Sequence, residues 1–375
     1  MIIAVFLTYN YSFYLWNSSG VLDRELKIYK YLSDNFGYKF KFFTYGNNDD
    51  INFINNKFEY EIIPLYSKIK FTNNRYLKFF KSFLIPLLIK KDLKHVDIIH
   101  QHQIQGSWVT LICKLIYRKK LLIRTGYDVL DFAKKNNKSL FNILFYKILT
   151  FICIISGDIY TVSSIFEFNK KLNSYPKKFN EKIKLRSNWI DKNYFTPLNT
   201  RPKNKILAVG RIEQQKNIKF LINLIKNLDV KLSLDIIGTG SQLENLKEYS
   251  KKNKLDINFL GSFDNQKLLK IYNNYRFFVS TALFEGNPKT ILEAMSSGCI
   301  VIASNIDGHR ELIKDGYTGY MFNLNSIEFS NIFNKILKDD NNLEIVSKNA
   351  FNFVLKNFYI NKLAKKMDAD YKLLR

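Results

Sequence analysis

Lys205-Ile206-Leu207-Ala208-Val209-Gly210-Arg211-Ile212-Glu213-Gln214-Gln215-Lys216-Asn217, with the helical pattern that follows it, decides the fold. A short apolar run over 205–209 breaks at a glycine, crosses a polar loop and enters an amphipathic helical pattern before a second apolar run at 231–237. That succession is the signature of a βαβ unit, whose two strands run parallel. The alternation continues outward, with strands expected at 257–260, 277–280 and 300–303. In the first half they are expected at 2–8, 39–44, 97–100, 120–124 and 158–162, with amphipathic helices between them. At 375 residues the chain exceeds one usual core, and 46% hydrophobic residues are enough for two. The fold class expected is therefore α/β, with two Rossmann-like domains built on parallel sheets. Pro197, Pro202 and polar neighbours mark the break between them. The reading is a first domain over 1–190, a linker over 191–202 and a second domain over 203–359, with a terminal helix at 360–375 packing back on the first. Open α/β sheets bind ligands at the carboxyl ends of their strands, so the site is expected in a cleft where the two sheets face each other.

The formal charge is +25. Up to Ile190 there are 30 basic against 14 acidic residues, a net +16, and beyond it 28 against 19, a net +9. Such an excess favours an anionic partner: nucleic acid, a phosphorylated substrate or an acidic membrane face. No helix-turn-helix, zinc-finger spacing or RNP-like strand supports nucleic acid. Cys113, Cys153 and Cys299 lie in apolar surroundings at no metal-binding spacing, which fits reduced core residues in a cytoplasmic protein. The apolar start lacks a basic n-region and reads as a first strand. The apolar stretch 140–155 is interrupted by Asn142, Lys147 and Thr150 and is shorter than a bilayer span, so a buried helix is expected there.

The strongest chemical signal is Glu285-Gly286-Asn287-Pro288-Lys289-Thr290-Ile291-Leu292-Glu293, after the strand at 277–280. Glu285 to Asn287 form a turn, Pro288 sits where a helix begins, and Glu293 falls within two turns of that start. Backbone N–H groups at a helix start suit phosphate oxygens and sugar hydroxyls. A carboxylate accepts two hydroxyl donors, so Glu293 suits paired ribose hydroxyls and Glu285 a sugar ring. A surface helix with ordinary acidic residues is the plainer reading of this segment alone. Arg211 and Lys216, after Gly210 at another strand end, add a guanidinium and an ammonium able to clamp a diphosphate and neutralise a departing nucleotide. A solvated basic loop is the plainer reading there. Gly238-Thr239-Gly240 lacks the third glycine of a dinucleotide fingerprint, since Leu243 holds that place.

In this order the motifs resemble glycosyltransferase family 4, a retaining group with the GT-B fold. Ser187-Asn188-Trp189-Ile190-Asp191 through Phe195 and Pro197 is similar to that family's linker motif. Gly210-Arg211 with Lys216 is similar to its phosphate clamp, and 235–240 and 259–261 to its next two strand ends. Residues 285–295, Gly298, Gly308 to Glu311, Asp315-Gly316 and Gly319 complete the series. The resemblance implies pyrophosphate binding by Arg211 and Lys216, ribose binding by Glu293 and binding of the transferred sugar by Glu285. The backbone of Gly286, Asn287, Pro288, Lys289 and Thr290 would line the sugar and phosphates. It implies no metal and no cofactor. A nucleotide-diphosphate sugar is the substrate, with a UDP-sugar expected and a GDP-sugar the alternative. The only Asp-x-Asp triplet, Asp368-Ala369-Asp370, falls in the expected terminal helix and reads as surface charge.

The first half matches less closely. Gly20, in Asn17-Ser18-Ser19-Gly20, stands where the family has a glycine-rich loop near the donor phosphates. Thr125, in Arg124-Thr125-Gly126-Tyr127-Asp128, stands where the family often has a histidine, leaving backbone, Asp128 or substrate groups to serve instead. His102 closes the strand at 97–100 without an obvious third metal ligand, which points to an acceptor-side or structural role. Thr125, Asp128 and His102 are thus the acceptor-side candidates. No protein nucleophile stands out, so a front-face displacement at an oxocarbenium-like centre is the expected mechanism.

Residues 68–94 carry eight basic residues interleaved with Phe71, Tyr76, Phe79, Phe80, Phe83, Leu84 and Ile85, and one acid, Asp92. The segment reads either as an interfacial helix on anionic lipid or as an amphipathic helix whose aromatics fill the core. The resulting expectation is a metal-independent hexosyltransferase at the cytoplasmic face of the inner membrane. Its acceptor would be a glycan or lipid-linked saccharide, in surface polysaccharide assembly such as lipopolysaccharide or capsule. The alternatives are nucleotide-sugar epimerisation or hydrolysis on the same fold, and a non-catalytic sugar-nucleotide-binding partner.

Overall fold

The computed structural model describes residues 1–54, 58–69, 72–191, 195–228, 230 and 232–375. Lys70 and Phe71 of the basic segment, Lys192 to Tyr194 of the expected linker and Lys231 of an expected strand lie outside the described residues. The chain forms two compact units, Met1–Ser187 with Asn361–Arg375, and Asn188–Ile360.

In the first unit the strands are β1 (Ile2–Phe6), β2 (Lys39–Thr44), β3 (Tyr60–Pro64), β4 (Ile98–Gln101), β5 (Lys120–Arg124), β6 (Ile159–Val162) and β7 (Ile183–Leu185). They form one parallel sheet in the order β3-β2-β1-β4-β5-β6-β7. The second unit holds β8 (Lys205–Val209), β9 (Ser233–Ile237), β10 (Ile257–Phe259), β11 (Phe277–Ser280), β12 (Ile300–Ser304) and β13 (Tyr320–Phe322), in the order β10-β9-β8-β11-β12-β13. The α/β class with two parallel-sheet Rossmann-like units is thus as expected. Central strands such as β1, β4 and β12 are buried along nearly their whole length, because helices cover both faces of each sheet.

The strands that sequence reading missed, β3, β7 and β13, are each at a sheet edge. An edge strand needs no continuous apolar run. β3 exposes Glu61 and ends at Pro64, and β7 and β13 have three residues each. In each unit the strand order reverses beside the first strand, between β1 and β4 and between β8 and β11. The loops leaving the carboxyl ends of those strands diverge and leave a crevice.

Two expectations are corrected. Helix Leu140–Ser156 forms, but it is not buried. Leu149, Thr150, Cys153 and Ile154 face the core, while Leu140, Phe141, Leu144, Ile148, Phe151 and Ile152 are exposed. An apolar helix on one face of a sheet has only one side to bury, and its other side here is equally apolar. No helix among the described residues is long and apolar enough to cross a membrane. Asp368 and Asp370 are not surface charge either. Helix Ile360–Leu374 returns to the first unit and buries both carboxylates: Asp368 accepts the Tyr38 hydroxyl at 2.8 Å, and Asp370 pairs with Arg186 and Lys184.

The basic, aromatic segment is part core and part surface. Helix Arg75–Ser82 turns Phe79 against Trp108, with ring centroids 5.1 Å apart, while Ile85, Ile89 and Leu93 enter the core. Tyr76, Leu77, Phe80, Leu84 and Leu87 stay exposed. Cys113, Cys153 and Cys299 are buried free thiols.

Candidate functional site in the second unit

The crevice between β8 and β11 is closed by their two loops, and backbone and amide groups stitch these together. Leu283 N–H donates to the Gln215 carbonyl at 2.9 Å, and Gln215 Nε2 returns a bond to the Phe284 carbonyl at 2.8 Å. Thr281 Oγ1 donates to the carbonyls of Lys216 and Asn217, each at 3.1 Å. This stitching sets the Lys216 ammonium against the Glu285 carboxylate as an ion pair, with side chains 16% and 12% exposed. Two residues 69 positions apart in sequence thus share one spot at the strand ends.

The turn after β9 forms another wall. Gly238 has φ of +143°, and a Cβ there would stand 1.9 Å from the Gly210 carbonyl oxygen, so this approach requires glycine. Glu213 fixes the turn from the other side, accepting from Ser241 N–H at 2.9 Å and Ser241 Oγ at 2.6 Å. Arg211 is exposed beside it, and no carboxylate bridges its guanidinium among the described residues.

Helix Lys289–Ser296 starts where Pro288 takes the cap position, and no side chain caps it. Its first amide N–H groups have no intrahelical acceptor, as at any helix start, and the positive end of the helix dipole adds to them. Asn287 is buried, and its Oδ1 accepts the Asn188 N–H at 3.0 Å, which orients the turn. Lys289 lays its ammonium over the Trp189 ring, 4.1 Å from the centroid. Glu293, buried on the same helix, accepts from Asn265 Nδ2 and from the Tyr272 hydroxyl, each at 3.3 Å. Glu285, Gly286 and Gly308 meet backbone to backbone: a Cβ on Gly308 would lie 2.4 Å from the Gly286 carbonyl oxygen.

Below the ion pair His309 is fully buried, with Nδ1 2.8 Å from the Ser304 carbonyl oxygen. Burial holds its imidazole down at about 4, against the raising influence of that carbonyl and of Glu285. It is therefore neutral near pH 7, with its proton on Nδ1. Gly210, Arg211, Lys216, Glu285 to Thr290 and Glu293 all lie on these loops and this helix. Sequence reading gave no role to Gln215, Thr281, Glu213, Asn188 or His309. Nothing in a Gln-Gln pair marks which glutamine ties two loops, and nothing beside His309 in sequence marks it as buried.

The first unit places its candidates differently. Gly20 ends the turn after helix Phe13–Ser18 at φ +70°. His102 is buried against Trp16, with Nε2 3.2 Å from Arg124 Nη1 and 3.6 Å from Glu25 Oε2. Thr125 is buried and donates its hydroxyl to the Thr161 carbonyl at 2.8 Å. Asp128 caps helix Val129–Lys135 through the N–H groups of Leu130 and Asp131, and pairs with Lys171 at 2.7 Å. Burial would raise its carboxyl, but Lys171 and Lys170 outweigh that and hold it below the ordinary value. Thr125 and Asp128 therefore have structural bonds of their own, while His102 shares its surroundings with Arg124 and Glu25. No group of three or more metal-ligating side chains occurs among the described residues.

Residues 191–353 match the family described as glycosyl transferases group 1. An uncharacterised glycosyltransferase of Methanocaldococcus jannaschii is 32% identical over 171 residues, 44% of this chain and 43% of that protein. The Escherichia coli UDP-Gal:alpha-D-GlcNAc-diphosphoundecaprenol alpha-1,3-galactosyltransferase is 32% identical over 205 residues, 50% of this chain and 53% of that one. The chain therefore spans about half the length of these relatives. Anabaena HepE, solved in complex with UDP-glucose, superimposes with a TM-score of 0.76 at 17% identity, covering 99% of both chains. That likeness is one of fold: the two parallel-sheet Rossmann-like units of the GT-B class.

Proposed function

We propose that the chain is a group 1 glycosyltransferase, on the match of residues 191–353 to that family, and that it transfers a hexose from a UDP-sugar to a glycan or lipid-linked saccharide in bacterial surface polysaccharide assembly. Within that group the proposal places it in family 4, supported by the motif order, with retention of anomeric configuration and no metal. The observation that carries the proposal is the switch-point crevice of the second unit. There Lys216 and Glu285 are in contact, Arg211 is exposed, and helix Lys289–Ser296 starts without a side-chain cap. The printed name of the E. coli relative, with a UDP-sugar donor and a diphosphoundecaprenol-linked acceptor, supports the choice of donor and acceptor.

In the proposed reaction the bond from the sugar C1 to the diphosphate oxygen breaks, and a bond from C1 to the acceptor oxygen forms on the same face. The acceptor proton passes to the departing diphosphate. Lys216 and Arg211 neutralise the charge that grows on that leaving group, a contribution larger in a partly dehydrated crevice than in water. Glu285 holds sugar hydroxyls, and Glu293 the ribose. Thr125 supplies no acid or base, because its hydroxyl is already donated to Thr161. The basic, aromatic segment 68–94 is assigned a peripheral contact with anionic membrane, close to a lipid-linked acceptor.

A thermal-shift series with UDP-, GDP-, ADP- and CMP-sugars tests the donor. Ligand at about 100 times Kd adds about 2.7 kcal/mol. UDP-sugars are expected to stabilise the native protein and to lose that effect in Arg211→Ala, a clean variant because Arg211 is exposed. Glu293→Ala is expected to lose it too, with a lower starting melting temperature, because Asn265 and Tyr272 lose their acceptor. No response to any nucleotide sugar would refute the donor site, and an inverted product by NMR would refute retention.

A further inference from the structure

The first unit has a pocket that the donor reading does not use. It lies among helices Val129–Lys135, Leu140–Ser156 and Ile165–Ser174, with a volume of about 560 Å³. Four lysines reach it: Lys134, Lys147, Lys170 and Lys171. Two are already neutralised, Lys170 by Asp131 and Lys171 by Asp128. Lys134 and Lys147 have no carboxylate partner among the described residues, so the pocket holds two uncompensated positive charges. Leu144, Ile148 and Phe151 make one apolar wall, and Ser174 and Tyr175 stand among the other lining residues.

Those three residues belong to the exposed row on helix Leu140–Ser156, which continues through Leu140 and Phe141, the two most exposed at 85% and 78%. The helix has no acidic residue, and Lys147 is its single charge. At 17 residues it is about 26 Å long, short of the roughly 30 Å of a bilayer core, and its inner face is packed against the sheet. Lying flat at an interface is the geometry that buries such a row. Its neighbour is helix Arg75–Ser82, since the rings of Phe79 and Phe145 are 6.1 Å apart.

We propose that this pocket takes the phosphate headgroup of an anionic phospholipid, with Lys134 and Lys147 on the phosphate and the outer row of helix Leu140–Ser156 on the acyl chains. Charge complementarity selects the lipid: two unpaired ammonium groups stand at the edge of an apolar strip, the arrangement an anionic amphiphile presents in reverse. The site extends the membrane contact proposed for residues 68–94 to a different helix and gives it a headgroup pocket. It does not depend on catalysis.

Flotation tests it, with vesicles of phosphatidylcholine alone and of phosphatidylcholine mixed with phosphatidylglycerol in equal parts. The full chain is expected to float with the anionic vesicles only. Lys134→Gln with Lys147→Gln is expected to lower partitioning about 25-fold, at roughly fivefold per surface charge. Ile148→Gln with Phe151→Gln is expected to abolish flotation. Lys134 and Lys147 are exposed, so their double variant should keep its melting temperature, whereas Ile148 and Phe151 are half-buried, with Phe151 stacked on Tyr175, so their double variant should melt somewhat lower and still unfold cooperatively. Unchanged flotation in both double variants, with loss only in Lys78→Glu with Lys81→Glu, would overturn the pocket and leave the 68–94 contact standing. Stabilisation by inorganic phosphate that needs Lys134 and Lys147, without vesicle binding, would overturn the lipid in favour of a soluble phosphate ligand. Donor-induced thermal shifts, measured on the same variants, are expected to be unchanged, which separates failure here from failure of the transferase reading.

Discussion

Asp370→Ala removes the carboxylate that pins the returning helix Ile360–Leu374 to the edge of the first sheet. Asp370 is 1% exposed and takes a bidentate pair from Arg186, Nε at 2.7 Å and Nη2 at 2.6 Å, plus Lys184 Nζ at 3.0 Å. Lys184 is the middle residue of β7, a three-residue edge strand with one neighbour, and Arg186 follows its end. Removing one member of a buried pair costs about 3–5 kcal/mol, chiefly because the other charge is left without a partner. Arg186 and Lys184 remain 14% and 22% exposed and regain some hydration, so the lower end, about 3 kcal/mol, is the expected value. For a unit of about 200 residues that is a fall of about 6–12 °C in melting temperature. Scanning calorimetry measures it, with Asp34→Ala as the control. Asp34 pairs with Lys30 at 2.7 Å, but the two are 48% and 41% exposed, so that change should cost under about 0.5 kcal/mol. A variant Asp370→Leu with Arg186→Met, of similar volume and uncharged, should recover much of the loss. If Asp370→Ala melts within about 2 °C of the native protein, the pair does not hold the helix and the argument fails.

Two further outcomes are expected. Gly238→Ala forces a Cβ toward the Gly210 carbonyl oxygen and should cost about 2 kcal/mol or more in urea unfolding of the second unit, with donor stabilisation lost because the Arg211 loop moves; full stability with full donor response would contradict the packing of that turn. Burial pushes Glu167 up to about 7 from an ordinary 4.5, partly offset by the Asp128 N–H it accepts. The folded state then binds the proton more tightly than the unfolded one, so its contribution is complete below pH 4.5 and is lost as pH rises through about 7. The native protein should lose about 3 kcal/mol from this group across that window, and Glu167→Gln should flatten the slope; parallel stability–pH curves would contradict it.

Most of the fold was legible because parallel strands buried on both faces must be continuously apolar. Apart from polar residues at their ends, 120–124, 205–209 and 277–280 are continuously apolar for that reason, while 39–44 is broken by Lys41 and is marked instead by Phe40, Phe42 and Phe43. The edge strands escaped because edge positions relax that demand. The outer face of helix Leu140–Ser156 escaped for the opposite reason. A hydropathy pattern says that a residue is apolar, not which side of a helix meets a sheet, and here apolar residues lie on both. Asp368 and Asp370 were misread because burial of a charge is decided by partners, Tyr38, Lys184 and Arg186, some two or three hundred positions away.

The candidate donor site divides along the same line. Glycines where backbones touch, a proline opening a helix and charges at strand ends are local, and they are legible. The bonds of Gln215, Thr281 and Glu213 that bring those charges together are made across loops, and nothing local marks them. On the proposed reading this stitching also explains why Lys216 and Glu285 are already in contact. Held 16% and 12% exposed, either charge alone would be costly, so each serves as the other's counter-ion until a ligand arrives. A diphosphate then replaces Glu285 as the partner of Lys216, and the carboxylate it releases turns to the hydroxyls of the sugar. One exchange therefore engages both ends of the donor, and a free phosphate, which brings no sugar ring to Glu285, would displace the pair at a net cost.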